Sequence, residues 1–193
     1  MTIVDFLDAL DKKVFLFLNG LHSPFFDQVM WQVSGKYLWV PFYLAILVFM
    51  GWHRKWNMVI TVLVIALMIL VSDQFSVLVK DTVMRLRPCH SPDIMGMVHT
   101  VNGKCGGQFG FVSSHAANTF AVAAFVSLFF SLKWVSWIMY SWAALVSYSR
   151  IYLGVHYTGD VLGGILVGLV VGTLLHFIEI FIQQRVHRLR KPS

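Results

Sequence analysis

The chain has 193 residues, of which 58% are hydrophobic and only 12% charged, with a formal net charge of +6. A soluble domain carries about 25% charged residues, so this composition, with a mean hydropathy of +0.71, excludes an ordinary water-soluble protein and indicates an integral membrane one. Much of the positive charge sits beside apolar segments, where anionic headgroups are nearer partners than nucleic acid.

Residues 1–24 interleave Asp5, Asp8, Asp11, Lys12 and Lys13 with Phe6, Leu7, Leu10, Phe15, Leu16 and Phe17. This pattern predicts an amphipathic helix lying at the membrane interface, with a short sixth span as the alternative. It lacks the basic start and small-residue cleavage site of a secretory signal, so it is expected to be retained. The remainder, 25–193, reads as one membrane-embedded domain.

Five segments there approach the roughly 20 apolar residues that a crossing needs. They run Phe25 to Met50 (interrupted near Ser34, Gly35 and Lys36), Met58 to Val79, His115 to Leu132, Trp134 to Tyr148, and Val161 to Ile182. Their apolarity is continuous rather than alternating, which argues against a β-barrel. The predicted fold is all-α: a polytopic transmembrane helix bundle of about five spans plus the N-terminal helix, with a loop at 81–113.

Orientation follows from the basic flanks. One end holds residues 53–55 ("HRK"), Lys133, Arg185, Arg188, Arg190 and Lys191, with Glu179. The other holds Lys12, Lys13, Lys36, Lys80, Arg85, Arg87, Lys104 and Arg150. Raw counts do not decide, but the tail and the 53–55 loop read as uncommitted charges, and basic residues in short loops weigh most. They are placed in the cytoplasm, so the 81–113 loop and the Arg150 junction face outward from a bacterial inner membrane.

An up-down bundle brings three polar clusters to that outward face. In "KDTVMRLRP", Lys80 and Arg87 are seven apart, about two helical turns, and so share a face, with Arg85 elsewhere and Pro88 turning the chain. In "GFVSSHAANTFAVAAF", Ser113 is a cap for a helix starting at Ser114, with His115 in its first turn; free N–H groups there suit an anion. In "SRIYLGVHYTGD", His156 and Asp160 are four apart, so along one helical face the carboxylate reaches the imidazole, and Arg150 offers a fork for phosphate oxygens. The plainer alternatives are a snorkelling basic flank, an ordinary cap and a structural His–Asp pair.

Together these groups supply what phosphoryl transfer needs: cations and amides for the phosphate oxygens, one histidine to attack phosphorus and another to protonate the departing oxygen. The side-chain cations replace a metal, so no cofactor is expected. A two-His, one-carboxylate metal set of His115, His156 and Asp160 is the alternative, disfavoured by three flanking cations. His90 and His99 read as surface or headgroup contacts, while His22, His53, His176 and His187 belong to no constellation.

The three clusters resemble the motifs of the type 2 phosphatidic-acid phosphatase superfamily, which includes membrane lipid phosphatases and soluble vanadium haloperoxidases. Its first motif, K-x6-RP, is matched by Lys80, Arg87 and Pro88; its third, SR-x5-H-x3-D, by Ser149, Arg150, His156 and Asp160. The second, PSGH, reads "VSSH" here, with Val112 for proline and Ser114 for glycine. The resemblance implies that His156 is the nucleophile, Asp160 its orienting carboxylate, and His115 the general acid that later activates water. It makes Lys80, Arg87, Arg150 and Ser113 phosphate ligands, with Ser114 offering a hydroxyl in place of the glycine backbone.

Cys89 and Cys105 both fall in the outer loop, where an oxidising compartment favours a disulfide. Gly96, Gly103, Gly106, Gly107 and Gly110 share that loop and imply close turns or mobility. The expected partner is a membrane lipid phosphate. The function expected first is metal-independent hydrolysis of the terminal phosphate of undecaprenyl pyrophosphate through a phosphohistidine. Phosphatidylglycerophosphate, phosphatidate and lipid A are alternative substrates. A transporter or scaffold is the non-enzymatic alternative, disfavoured because the polar groups gather at one face rather than the midplane.

Overall fold

The computed structural model describes residues 2–54 and 58–190, so Lys55 and Lys191 of the predicted cytoplasmic flank lie outside the described residues. Among the described residues the fold is all-helical. α1 (Ile3–Asn19) starts with a reciprocal cap: Asp5 N–H donates to Thr2 Oγ1 and Thr2 N–H to the Asp5 carboxylate. Its apolar face, including Ile3, Phe6, Leu7 and Leu10, is exposed.

α2 (Pro24–Ser34), capped by Ser23 with proline in its first turn, bends by 67° at Gly35 and Lys36 before continuing through a short 3-10 turn into α3 (Val40–Arg54). The interruption read from the sequence is this bend. α4 (Met58–Val83) and the long α7 (Thr158–Arg190) are long and apolar enough to cross a membrane, and the bent α2–α3 pair is a third crossing when taken as one span. α5 (Ser114–Phe130) and α6 (Lys133–Tyr152) complete the five predicted segments.

With 17 residues, α5 is short for a bilayer, reaching about 26 Å at 1.5 Å per residue. Its position explains why that suffices. It is buried almost continuously from Ala116 to Ser127, packed among α4, α6 and α7, so protein rather than lipid surrounds it. The α5–α7 contact depends on small residues. A Cβ at Gly164 would come within 2.5 Å of the Ser113 carbonyl, and one at Gly168 or Gly172 would strike the carbonyls of Ala117 and Ala121. Glycines at this four-residue spacing let two backbones approach where no hydrophobic force drives helices together in lipid.

At the end away from the three clusters, the fully buried Glu179 accepts from Thr61 Oγ1 at 2.8 Å and pairs with Arg54 Nη2 at 3.2 Å. Arg54 is therefore not an uncommitted charge, which corrects the flank reading: its cation neutralises a carboxylate inside the bundle.

Candidate active site

The C-terminal end of α4, the N-terminus of α5 and the α6–α7 junction meet at one end of the bundle. Lys80 lies in the last turn of α4 and donates to Ser114 Oγ at 2.5 Å. The serine that replaces glycine in the second motif thus holds the motif-one lysine over the start of α5.

Arg87 does not share a helical face with Lys80, contrary to the spacing argument. α4 ends at Val83, and Met84 takes a left-handed φ of 50° that turns the chain out of the helix. The following segment is extended: Leu86 bridges to Phe109, Arg87 N–H donates to the Gln108 carbonyl and Gly110 N–H to that of Arg85. Residues two apart in extended chain point the same way, so Arg85 and Arg87 both reach the α6–α7 junction. Pro88 opens a 3-10 turn and plays no part in ending α4.

Ser113 caps α5 as its position predicts, accepting from Ala116 N–H at 3.5 Å, and its own N–H donates to the Asp160 carbonyl at 2.9 Å. The residue is fully buried, and its hydroxyl faces the helix it caps.

His156 and Asp160 meet across a turn rather than along one helical face, because α6 ends at Tyr152 and α7 starts only at Thr158. Gly154, at φ 74°, makes the reversal; a Cβ there would lie 2.5 Å from the His99 carbonyl. Asp160 Oδ2 is 3.4 Å from His156 Nδ1 and accepts from Tyr157 N–H at 3.0 Å. Its Oδ1 takes Arg85 Nη1 at 2.9 Å. Gly110 lies against this carboxylate, since a Cβ there would approach Oδ2 to 2.7 Å.

On the other side of the ring, Arg87 Nη1 lies 3.2 Å from His156 Nε2 and 3.1 Å from the Val155 carbonyl. A guanidinium only donates, so Nε2 accepts and the ring proton sits on Nδ1, 3.4 Å from Asp160 Oδ2 but outside hydrogen-bond geometry with it. Burial, followed by the charges of Arg87, Arg150 and Lys80, holds the His156 pKa well below the ordinary imidazole range. The ring is neutral, with its lone pair turned toward cations. Arg150, at the end of α6, donates through Nη1 to Ser34 Oγ. Among the described residues, the buried Nε atoms of Arg87 and Arg150 have no acceptor. Such a surplus of donors is what a bound phosphate satisfies.

His115 lines a cavity of about 550 Å³ running from the site between α3, α4, α5 and α6. It lies within charge range of both His156 and Arg150.

Arg85 was set aside in the sequence reading, yet it joins three carboxylates: Asp160, Asp11 at 2.9 Å and Asp8 at 3.0 Å, with its guanidinium 4.1 Å over the Tyr157 ring. Asp11 also accepts from Gly159 N–H at 2.9 Å. The polar face of α1 thus clamps the back of the site. The signal was present in the three-residue spacing of Asp5, Asp8 and Asp11, which puts carboxylates on one helical face.

The reading of His22 and His99 also needs correction. Their rings stack at 3.7 Å, and His99 Nε2 lies 3.0 Å from Asp27 Oδ1, which accepts from Tyr152 Oη at 2.7 Å as well. These bonds tie α2 to the 81–113 loop. Among the described residues, His22, Asp27 and His99 are the His and carboxylate groups close enough to share a cation, within 4.8 Å; His115, His156 and Asp160 do not form such a group. Cys89 and Cys105 are joined by a disulfide with Cα atoms 5.9 Å apart. His90 remains exposed at the surface.

Comparison with known proteins agrees with this geometry. Residues 58–181 match the PAP2 superfamily. The chain is 41% identical over 179 residues to a lipid A 4'-phosphatase of Bacteroides thetaiotaomicron, covering 91% of this chain and 80% of that protein. It is 35% identical over 184 residues to a lipid A 4'-phosphatase of Porphyromonas gingivalis, covering 94% and 78%. The crystal structure of a transmembrane PAP2-type phosphatidylglycerolphosphate phosphatase from Bacillus subtilis superimposes with a TM-score of 0.68 at 26% identity, covering 95% and 89% of the two chains. Three motifs converging on one buried imidazole, in a helical bundle of this shape, place the chain in the PAP2 superfamily, among the membrane enzymes that hydrolyse lipid phosphates.

Proposed function

We propose that this chain is a lipid A phosphatase, removing a phosphate from an acylated disaccharide at the outer face of a bacterial inner membrane. One geometric observation carries the chemistry: the neutral His156 ring offers Nε2 to a cluster of cations, with Arg87 Nη1 at 3.2 Å. The substrate rests on the two relatives at 41% and 35% identity, which favour lipid A over the undecaprenyl pyrophosphate expected first from the sequence. The orientation is supported by the Cys89–Cys105 pair, which belongs in an oxidising compartment. In this orientation the C-terminus is cytoplasmic, and α1 lies at the outer surface with its apolar face toward lipid.

In the proposed mechanism the phosphate oxygens take donors from Arg87, Arg150 and Lys80, and Arg87 releases Nε2. His156 Nε2 attacks phosphorus, forming an N–P bond as the P–O bond to the sugar breaks. His115, protonated once the bound phosphate's negative charge offsets Arg150 and Arg87 beside it, gives its proton to the leaving oxygen. A water then loses a proton to His115 and attacks phosphorus; the N–P bond breaks, its electron pair returns to Nε2, and inorganic phosphate departs. Asp160 faces Nδ1–H throughout and offsets the positive charge that the ring acquires. The cations do the electrostatic work, so no divalent metal is needed.

The test is phosphate release in mild detergent from lipid A, undecaprenyl pyrophosphate, phosphatidylglycerophosphate and phosphatidate, with and without EDTA. Lipid A should be turned over fastest, EDTA should leave the rate unchanged, and His156→Ala should lower kcat by at least about 10³-fold, as loss of a nucleophile does elsewhere. Faster turnover of another lipid would replace the substrate assignment; a strict Mg²⁺ requirement would overturn the metal-free mechanism. The Bacillus subtilis structure favours phosphatidylglycerophosphate as the second reading.

A further inference from the structure

The cavity beside His115 is apolar through most of its wall, from Trp39, Val40, Tyr43 and Ile46 on one side to Val122, Phe125 and Val126 on the other. Asp73 and Asn118 are among the polar groups that interrupt it, and the mechanism uses neither. Asp73 lies in α4, seven residues before Lys80, and so about 10 Å deeper along the helix axis. Among the described residues it makes no hydrogen bond or ion pair. Asn118 follows His115 by three residues in α5, and its Oδ1 is buried without a donor. Lys36 lines the same cavity from the exposed α2–α3 bend.

A carboxylate within a membrane helix is costly unless something partners it, and such residues mark pathways and ligand sites. Both unused groups are acceptors in the wall next to the general-acid candidate, which is where the alcohol side of a phosphate ester must sit. We infer that Asp73 and Asn118 form a leaving-group subsite that accepts hydrogen bonds from the hydroxyl and acyl-amide N–H donors of an acylated amino sugar. The inference rests on the lipid A reading and extends it to recognition.

The chemistry separates the candidate lipids. An acylated amino sugar carries O–H and N–H donors close to the phosphate, with hydrocarbon chains leaving the same ring for the apolar wall. The diacylglycerol released from phosphatidate has only ester oxygens beside the departing oxygen. Undecaprenyl pyrophosphate presents a second phosphate there, which Asp73 repels. Phosphatidylglycerophosphate offers a single hydroxyl and falls between them. A site built to hydrogen-bond a ligand donor discriminates against ligands lacking it, because its acceptors, among them the buried Asn118 Oδ1, are then left unpaired.

The experiment compares kcat/KM for lipid A and for phosphatidate in the wild type, Asp73→Leu and Asn118→Leu, with the thermal midpoint of each protein in detergent. Lipid A turnover should fall by about 10- to 100-fold in each variant, the loss of one hydrogen bond to a neutral or charged group. Phosphatidate turnover should stay within about threefold of wild type, with the midpoint unchanged, since no donor contact is lost. Equal losses on both lipids, or losses that follow a lowered midpoint, would show a structural role and overturn the subsite. Unchanged lipid A turnover in both variants would overturn it as well. A wild type that hydrolyses phosphatidate but not lipid A overturns the substrate reading itself, a result distinct from either.

Discussion

Arg87 Nη1 donates to His156 Nε2 across 3.2 Å, so the ring nitrogen that faces the cations carries a lone pair and no proton. The contact sets the tautomer from the side opposite Asp160. In the proposed mechanism it also keeps Nε2 facing the cations that would take the phosphate oxygens.

A pH dependence follows. His156 is buried beside Arg87, Arg150 and Lys80, and its pKa lies well below the usual value, which is about 6.5. The ring therefore stays neutral as pH falls through 6.5, and the acid limb of kcat/KM, which reports the free enzyme, should lie below that value. Stability has the same sign. Below about 6.5 the unfolded histidine takes a proton that the folded one refuses, so folding weakens as pH drops. An acid limb centred at or above 6.5 would contradict the buried, cation-flanked ring.

Arg85 should matter more for the fold than its place outside the motifs suggests. Its partner Asp160 is fully buried, and Asp8 and Asp11 bind the same guanidinium. Arg85→Ala leaves the Asp160 carboxylate without that cation, and breaking a buried pair from one side costs about 3 kcal/mol or more. The variant should show a lowered thermal midpoint and lose activity. Asp8→Asn, which removes a half-exposed partner, should change the midpoint little.

The membrane class, the bundle and all three motifs were legible in the sequence, because continuous apolarity and fixed spacing are local signals. What escaped was set by tertiary geometry. The Lys80–Arg87 spacing invited a helical reading, but the left-handed Met84 ends α4 before Arg87 is reached. The spacing of His156 and Asp160 was right while the intervening structure was a turn, because the Gly154 reversal delays α7. Arg85 was invisible as a site residue since its partners lie 74 and 77 positions upstream and 75 downstream. His22 gave no signal because its partner His99 stacks on it from a different loop.

Closing the loop between Cys89 and Cys105 should stabilise the 81–113 segment. The two are 16 positions apart, and a loop of that length is worth about 3 kcal/mol in the chain-entropy model. Cys89→Ser should lower the thermal midpoint and raise protease cleavage between 89 and 105, while the bundle itself stays folded. Mass spectrometry of the native protein without reductant should find a mass 2 Da below that of the dithiol, a difference of two hydrogens. Two free thiols would remove both the staple and the support it gives to an outward-facing site.

The α5–α7 contact gives the sharpest structural test. At Gly168 an added Cβ would strike the Ala117 carbonyl, and Ala121 N and Phe120 Cβ lie 2.9 Å away, all within rigid helix. Backbone cannot give way as the end of a side chain can, so Gly168→Ala forces the helices apart. That should cost about 2 kcal/mol or more, in the range of core overpacking. Because α5 carries His115 at its start and α7 carries Asp160 in its first turn, the separation should lower activity along with stability. Gly51→Ala is the control. It lies in α3 with nothing within 4 Å of the new Cβ, so the change should be neutral or stabilise by at most about 1 kcal/mol, the helical gain of alanine over glycine. Thermal midpoints and phosphate release for both variants, measured side by side in one detergent, check the contrast; equal behaviour would mean that the small-residue seam does not set the helix spacing.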